Sequence, residues 1–242
     1  MNLILLDTAS ESVLWQTEDA RTQHVRKVLK MGIGDSFYVG VKRGRIGKAQ
    51  IVEDGEQGMK LEIKLDTESP PPLPLHVLIG LPRPQVARRL LRELPSLGPE
   101  KVTFFVAEKS EASYLQSSLW TTDEWKRLLR EGAEQAFCTW TPEIVHTQNL
   151  KTAVESLSSS GDRVALDLYE ATGKFQAGKP PAHLTIGPEG GWTNSERDSL
   201  RSANFELLSM GERVMRVETA VIAAIAIWSI HHHFPNHMFS LP

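Results

Sequence analysis

Near the C-terminal end, His183-Leu184-Thr185-Ile186 is a short apolar run that passes into Gly187-Pro188-Glu189-Gly190-Gly191. Thr193, with Glu196 three residues later, reads as a capping box that opens the next helix. A strand, a tight glycine loop and a helix start in that order fit a ligand site of an open α/β sheet, because glycines let backbone amides and carbonyls approach a small molecule. No Lys-Ser/Thr follows the last glycine and there is no GxGxxG pattern, so the usual nucleotide loops fit poorly, and a plain tight turn is the other reading. A second segment, Leu208 to Ala220, repeats the order: a strand end, a loop at Gly211, then the apolar helix Ala220 to Ile230. Such a helix should be buried. Charges at its mouth need partners, so Arg213, Arg216 and Glu218 form either an internal ion-pair network or a set of ligand contacts.

Basic residues are clustered although the total is nearly balanced. Between Arg21 and Lys48 lie eight cations (Arg21, Arg26, Lys27, Lys30, Lys42, Arg43, Arg45, Lys48) against Asp35 alone. A second group, Arg83, Arg88, Arg89 and Arg92, contains no acid until Glu93. Each could be a solvated face; together they point to an extended anionic partner. His231, His232, His233 and His237 resemble a metal group, but Pro235 interrupts the helix and no carboxylate or cysteine lies nearby, so no metal is expected. Cys138 is the single cysteine, which excludes an intrachain disulfide and any multi-thiolate zinc site. It reads as a small hydrophobe, and Trp120, Trp125 and Trp140 read as packing residues.

The elements that must position these residues follow from the pattern along the chain. The first 69 residues read as short strands between Gly-bearing turns (Asn2 to Leu6, Ser36 to Val41, Arg45 to Glu53, Met59 to Leu65) around a helix from Thr22 to Lys30. A small β barrel is expected there. Ser69-Pro70-Pro71-Pro72-Leu73-Pro74 carries four prolines in five positions and marks a boundary. From Leu75 onward strands alternate with helices, which argues for a mainly parallel α/β sheet. Its expected strands include Leu75 to Leu81, Lys101 to Ala107, Val164 to Leu168, His183 to Ile186 and Phe205 to Ser209. Helices are expected from Pro84 to Leu94, near Thr122 to Phe137, near Asn194 to Ala203 and from Glu218 to His233.

The chain has 242 residues, 27 Lys+Arg and 30 Asp+Glu, for a net charge of −3, so it is not a histone-like polycation. Its longest near-apolar run, Ala220 to Ile230, is far short of the roughly 20 residues of a membrane span. With no signal-peptide pattern at the start either, a cytoplasmic protein without membrane attachment is expected.

Leu184-Thr185-Ile186-Gly187-Pro188-Glu189-Gly190-Gly191-Trp192 and Met210-Gly211-Glu212-Arg213-Val214-Met215-Arg216-Val217-Glu218-Thr219-Ala220 resemble the two C-terminal signatures of the RsmE-type ribosomal RNA methyltransferases, of the SPOUT superfamily. His24-Val25-Arg26-Lys27-Val28-Leu29-Lys30 with Gly34-Asp35, and Ala133-Glu134-Gln135 with Pro142-Glu143, are similar to the family's N-terminal and central motifs. The resemblance implies a PUA-like barrel over 1–69. It also implies a SPOUT α/β domain over 75–242, with a trefoil knot and the cofactor site near 164–220. It further implies a homodimer that binds S-adenosylmethionine and methylates N3 of a uridine in the decoding region of small-subunit rRNA, as free rRNA or in the assembled subunit. By position, the cofactor would lie against Leu166, Ile186, Gly187, Pro188, Glu189, Gly190, Gly191, Met210, Gly211, Val214, Met215, Arg216, Thr219 and Ala220. The RNA would lie against Arg21, His24, Arg26, Lys27, Lys30 and Arg83. Three positions depart from the family pattern and bear on RNA placement: Arg83 where many members carry a lysine, Cys138 where an arginine is common, and Ser96 in place of an acid.

Methyl transfer from a sulfonium to nitrogen needs alignment in a dry site and no metal. Uridine N3 must also lose its proton, which a base or an anion-stabilising group assists. Arg216 is the first candidate, with Arg213 and Arg83 beside it; Glu218 or Glu189 could accept the proton. Two other readings remain open at this level: a related SPOUT enzyme acting on another RNA or on a ribose 2′-oxygen, and a non-catalytic RNA-binding assembly factor.

Overall fold

The computed structural model describes residues 3–176 and 182–230. Its contacts gather the chain into two units, Met1–Pro71 with Arg130–Thr141, and Pro72–Leu129 with Pro142–Pro242.

In the first unit, β1 (Ile4–Leu6), β2 (Ser12–Gln16), β3 (Ser36–Val41), β4 (Ile46–Gly55) and β5 (Gly58–Thr67) form one curled sheet in the order β1-β3-β4-β5-β2. Only the β1–β3 pair is parallel. Trp15, Val25, Phe37, Val39, Ile51, Met59 and Leu61 fill its centre. The expected helix at Thr22 to Lys30 is two pieces: α1 (Ala20–His24), capped by Asp19, then a π-helical turn from Val25 to Leu29 that ends with Lys30 in the left-handed region. The π turn leaves Val28 and Leu29 exposed, so the segment buries one residue in each piece, Thr22 and Val25. Residues 130–141 complete this unit. The Leu3 and Leu5 amides donate to the carbonyl and carboxylate of Glu134, each at 3.0 Å, Arg130 donates to the Leu5 carbonyl, and Thr139 Oγ1 donates to the Gly44 carbonyl at 2.8 Å.

The second unit is built from β6 (Leu73–Gly80), α2 (Pro84–Leu97), β7 (Pro99–Phe105), α3 (Ser118–Thr121), α4 (Glu124–Gln135), β8 (Glu143–Thr147) and α5 (Leu150–Glu155). It continues with β9 (Asp162–Leu166), β10 (Gly173–Lys174), β11 (Ala182–Ile186), α6 (Asn194–Ser202), β12 (Glu206–Ser209) and α7 (Val217–Ile230). α4 begins in this unit and ends in the first. The seven strands run parallel in the order β10-β12-β9-β11-β6-β7-β8. Successive side chains face opposite sides: Val77, Ile79 and Phe104 join the α2 and α7 layer, whereas Leu78 and Phe105 join the α5 and α6 layer. Both faces are thus covered, as a parallel sheet requires.

Three elements differ from the sequence expectation. α2 carries Pro95 within it and runs on to Leu97, stopping where Gly98 turns left-handed at φ 72°. β9 stops at Leu166 rather than Leu168, because the Asp167 carboxylate accepts the Tyr169 and Glu170 amides and turns the chain out of the sheet. α7 buries one face through Val217, Val221, Ala224, Ile225 and Trp228, whereas Ile222, Ala223, Ala226 and Ile227 are half-buried and Ile230 is exposed. The expected extension of this helix to His233, and the histidines 231, 232, 233 and 237, lie outside the described residues.

Candidate active site

The carboxyl ends of β12, β9, β11 and β6 lie side by side in the sheet, and the chain leaves each of them through a loop. These loops surround a cleft of about 740 Å³, within the range usual for a small-molecule site. Its position, outside the strand ends of an open parallel sheet, is where backbone groups are free of the ladder and available to a ligand.

The floor is the loop after β11. Ile186, Gly187 and Pro188 are buried, whereas Glu189 and Gly190 face solvent. The loop is held from three sides. Trp192 stacks on Phe105, centroids 6.0 Å apart, lies against Gly187, and donates its indole N–H to the Leu166 carbonyl at 2.9 Å, which ties this loop to the one after β9. Lys109 Nζ donates to the carbonyls of Gly190 and Trp192 at 3.1 and 3.0 Å. From below, Gly80 at the end of β6 comes so close that a Cβ there would stand 2.6 Å from the ring and nitrogen of Pro188. α6 then starts with the expected capping box: Thr193 Oγ1 accepts the Glu196 amide at 3.1 Å, and the Glu196 carboxylate accepts the Thr193 amide at 2.9 Å. The second oxygen of Glu196 accepts the Glu108 amide at 3.0 Å.

The wall after β9 rests on an ion pair. Asp167, its side chain 1% exposed, accepts the Tyr169 amide at 2.6 Å on one oxygen and pairs with Arg197 of α6 on the other. Glu170 extends the network to Arg201. The opposite wall is the 208–220 segment, where Gly211 takes φ +137°, a conformation closed to other residues without strain.

Of the residues singled out in the sequence, Leu166, Ile186 through Gly191, Met210, Gly211, Arg213, Val214, Met215, Arg216, Glu218, Ala220 and Arg83 all line the cleft. Thr219 is exposed and does not. The charges at the mouth of α7 divide between the two roles open to them. Glu218 pairs with Arg89 at 3.4 Å, and Glu189 accepts the Arg83 amide at 3.0 Å, at the start of α2 where no side chain of the helix itself caps. Arg83, Arg213 and Arg216 have no ion-pair partner among the described residues. Sequence reasoning missed Gly80, Lys109, Asp167, Tyr169 and Arg197. Asp167 left no trace, since the expected strand ran through it to Leu168.

The other basic cluster lies in the first unit. Arg21 pairs with Asp19 and covers Trp15, and Arg26 pairs with Asp54, so both are partly used in holding the fold. His24 is half-buried, whereas Lys27 and Lys30 are exposed.

Further down the sheet, where His183 of β11 pairs in register with His76 of β6, sits a histidine group. His76 Nε2 and Thr103 Oγ1 share a hydrogen bond of 2.8 Å, and His183 Nε2 meets Ser158 Oγ at 3.0 Å. Burial, with Lys101 and His183 adding to it, pushes His76 down to about 4, and burial lowers His183 and His146 as well.

A family model described as an RNA methyltransferase domain matches residues 69–229. The chain is 31% identical, over 96% of its length and 92% of the relative's, to Ribosomal RNA small subunit methyltransferase E of Treponema pallidum. It is also 31% identical, over 94% of its length and 97% of the relative's, to Ribosomal RNA small subunit methyltransferase E 1 of Borreliella burgdorferi. The crystal structure of a Ribosomal RNA small subunit methyltransferase E from Neisseria gonorrhoeae bound to S-adenosyl methionine superposes with a TM-score of 0.79 at 19% identity, over 93% of this chain and 95% of that one. At that identity the likeness is one of fold.

Proposed function

Because this chain belongs to the RNA methyltransferase family whose curated relatives are RsmE-type small-subunit rRNA enzymes, we propose that it uses S-adenosylmethionine to methylate N3 of a uridine in the decoding region of small-subunit rRNA. The observation that carries this reading is the pairing of a glycine-floored cleft with Arg83, Arg213 and Arg216, cations with no ion-pair partner among the described residues. A protein needing only an RNA surface has no use for a glycine-lined cleft at the strand ends.

The cleft fits the cofactor: its lining is largely glycine backbone and apolar side chains (Leu166, Ile186, Pro188, Met210, Val214, Met215, Ala220), and the buried charges in its wall, Asp167 and Arg197, pair with each other. When bound, S-adenosylmethionine supplies an electrophilic methyl group on a sulfonium. The side chains do the rest. Arg216 faces the charge that develops on the uracil ring as N3 loses its proton and stabilises it, an effect worth roughly 10² to 10⁴ in rate. Glu218, held by Arg89, is the carboxylate at the cleft that would accept that proton. Arg213 and Arg83 hold phosphates flanking the target; in the first unit, taken by itself, the exposed Lys27 and Lys30, with no ion-pair partner among the described residues, offer further cations to RNA.

The same reading places the protein in the cytoplasm, acting on rRNA or the assembled small subunit; among the described residues no helix is long and apolar enough to cross a membrane. It also implies a trefoil knot near 164–220 and a homodimer, for which the half-buried apolar side of α7 is the support on this chain.

Nucleoside mass spectrometry of small-subunit rRNA from cells with and without this gene tests the proposal. 3-Methyluridine should disappear without the gene and return with the wild-type protein but not with Arg216→Ala. Unchanged 3-methyluridine would overturn it, and loss of a 2′-O-methyl nucleotide instead would assign the ribose as acceptor.

A further inference from the structure

Eight large hydrophobic side chains are exposed among the described residues, and three of them, Tyr169, Val214 and Met215, border the cleft. Apolar surface left in water at the rim of a ligand site calls for an occupant. Tyr169 is the most exposed of the eight, at 77%, yet its backbone is tied to a buried carboxylate. Its amide donates to Asp167 at 2.6 Å, Asp167 is buried against Arg197, and the Arg197 guanidinium stands 6.0 Å from the Tyr169 ring centroid. A buried ion pair stabilises a fold less than apolar packing of the same volume would; what this one provides is a fixed mount for a wet aromatic ring.

Depth separates the two ligands of the proposed reaction. Ile186, Gly187 and Pro188 make a buried floor suited to the methyl donor, which leaves the rim for the acceptor. The rim combines one flat π face with Arg83, Arg213 and Arg216, unpaired within the described residues. An aromatic platform beside cations is the arrangement that binds unstacked nucleotides, the ring taking the base and the cations its phosphates. We propose that Tyr169 is the platform on which the target pyrimidine stacks once it has left the RNA helix. The assignment rests on the methyltransferase reading above and adds to it a named base-positioning residue. Extruding a base sacrifices its stacking with neighbours, and a ring held in place beforehand restores part of that loss.

Because Tyr169 is so exposed, its replacement leaves the fold intact, and the full-length protein can be assayed on small subunits purified from cells lacking the gene. Tyr169→Ala should lower kcat/KM for the subunit by about 10- to 100-fold. Tyr169→Phe should retain wild-type activity, and S-adenosylmethionine titrated by calorimetry should bind both variants within about two-fold of wild type. Three results would overturn the proposal: an undiminished kcat/KM for Tyr169→Ala; an equal loss of S-adenosylmethionine affinity, which would make the ring a cofactor contact; or a change in solution mass, which would make it a subunit contact. Wild-type protein that methylates no uridine in the same assay would instead refute the methyltransferase reading itself.

Discussion

Glu189 and Glu218 show two uses of a carboxylate beside a helix start. The first satisfies a backbone amide that α2 cannot cap for itself, and the second is held by an arginine from that helix, while Arg216 has no ion-pair partner among the described residues. His76 illustrates a titratable group held in its neutral form. Its folded value is about 4, whereas a histidine in the unfolded chain titrates near 6.5. As pH falls through that window the unfolded chain takes up a proton that the folded chain refuses, so stability declines between roughly pH 6.5 and 4 and the contribution is constant below. Replacing it by His76→Asn should therefore flatten the fall of melting temperature measured from about pH 7 to about pH 5; parallel curves for variant and wild type would refute the assignment. Local pairs were legible at this scale, since Thr193 and Glu196 are three apart and form the expected box. Asp167 with Arg197, and Lys109 with Gly190, were not, because the partners are 30 and 81 residues apart and only the fold joins them.

Elements were legible where a side-chain period repeats on both faces. The strands at Ser36 to Val41, Lys101 to Ala107 and His183 to Ile186 lie where alternation and apolar runs placed them, within a residue or two. β2 escaped because Leu14, apolar yet 46% exposed, sits between the inward Val13 and Trp15 and hides their alternation in the sequence. Gly80 escaped for another reason: it ends a strand without any turn signal, and its smallness matters only because Pro188 of a loop more than a hundred residues later passes against it. Both Cβ contacts at 2.6 Å involve the proline ring or backbone, which cannot swing aside. Gly80→Ala should therefore lower stability by about 2 kcal/mol. It should also weaken S-adenosylmethionine binding, as read by urea denaturation and cofactor titration. Stability loss with unaltered affinity would show that the floor of the cleft is indifferent to this approach.

The whole molecule departs most from the sequence expectation at α7, whose apolar surface predicts full burial although one side is covered only in part. A sequence reports that a face is apolar, not which chain covers it. The proposed homodimer accounts for this side, and Ile230→Glu, at a position 75% exposed, should shift light-scattering mass toward the monomer with an unchanged circular dichroism spectrum. An unchanged mass would exclude this face as the contact. Segment 130–141 has a different kind of reach. It supplies the partners of the Leu3 and Leu5 amides and of the Gly44 carbonyl, yet it is encoded well beyond the strands it completes, with β6, α2 and β7 intervening. The barrel is therefore not a cassette. A recombination event that moved residues 1–71 into another gene would carry off an unfinished sheet with open backbone groups on β1, and an ancestor could have exchanged this first unit only by replacing both stretches together. Interleaving of this kind makes the two halves co-inherited parts of one machine.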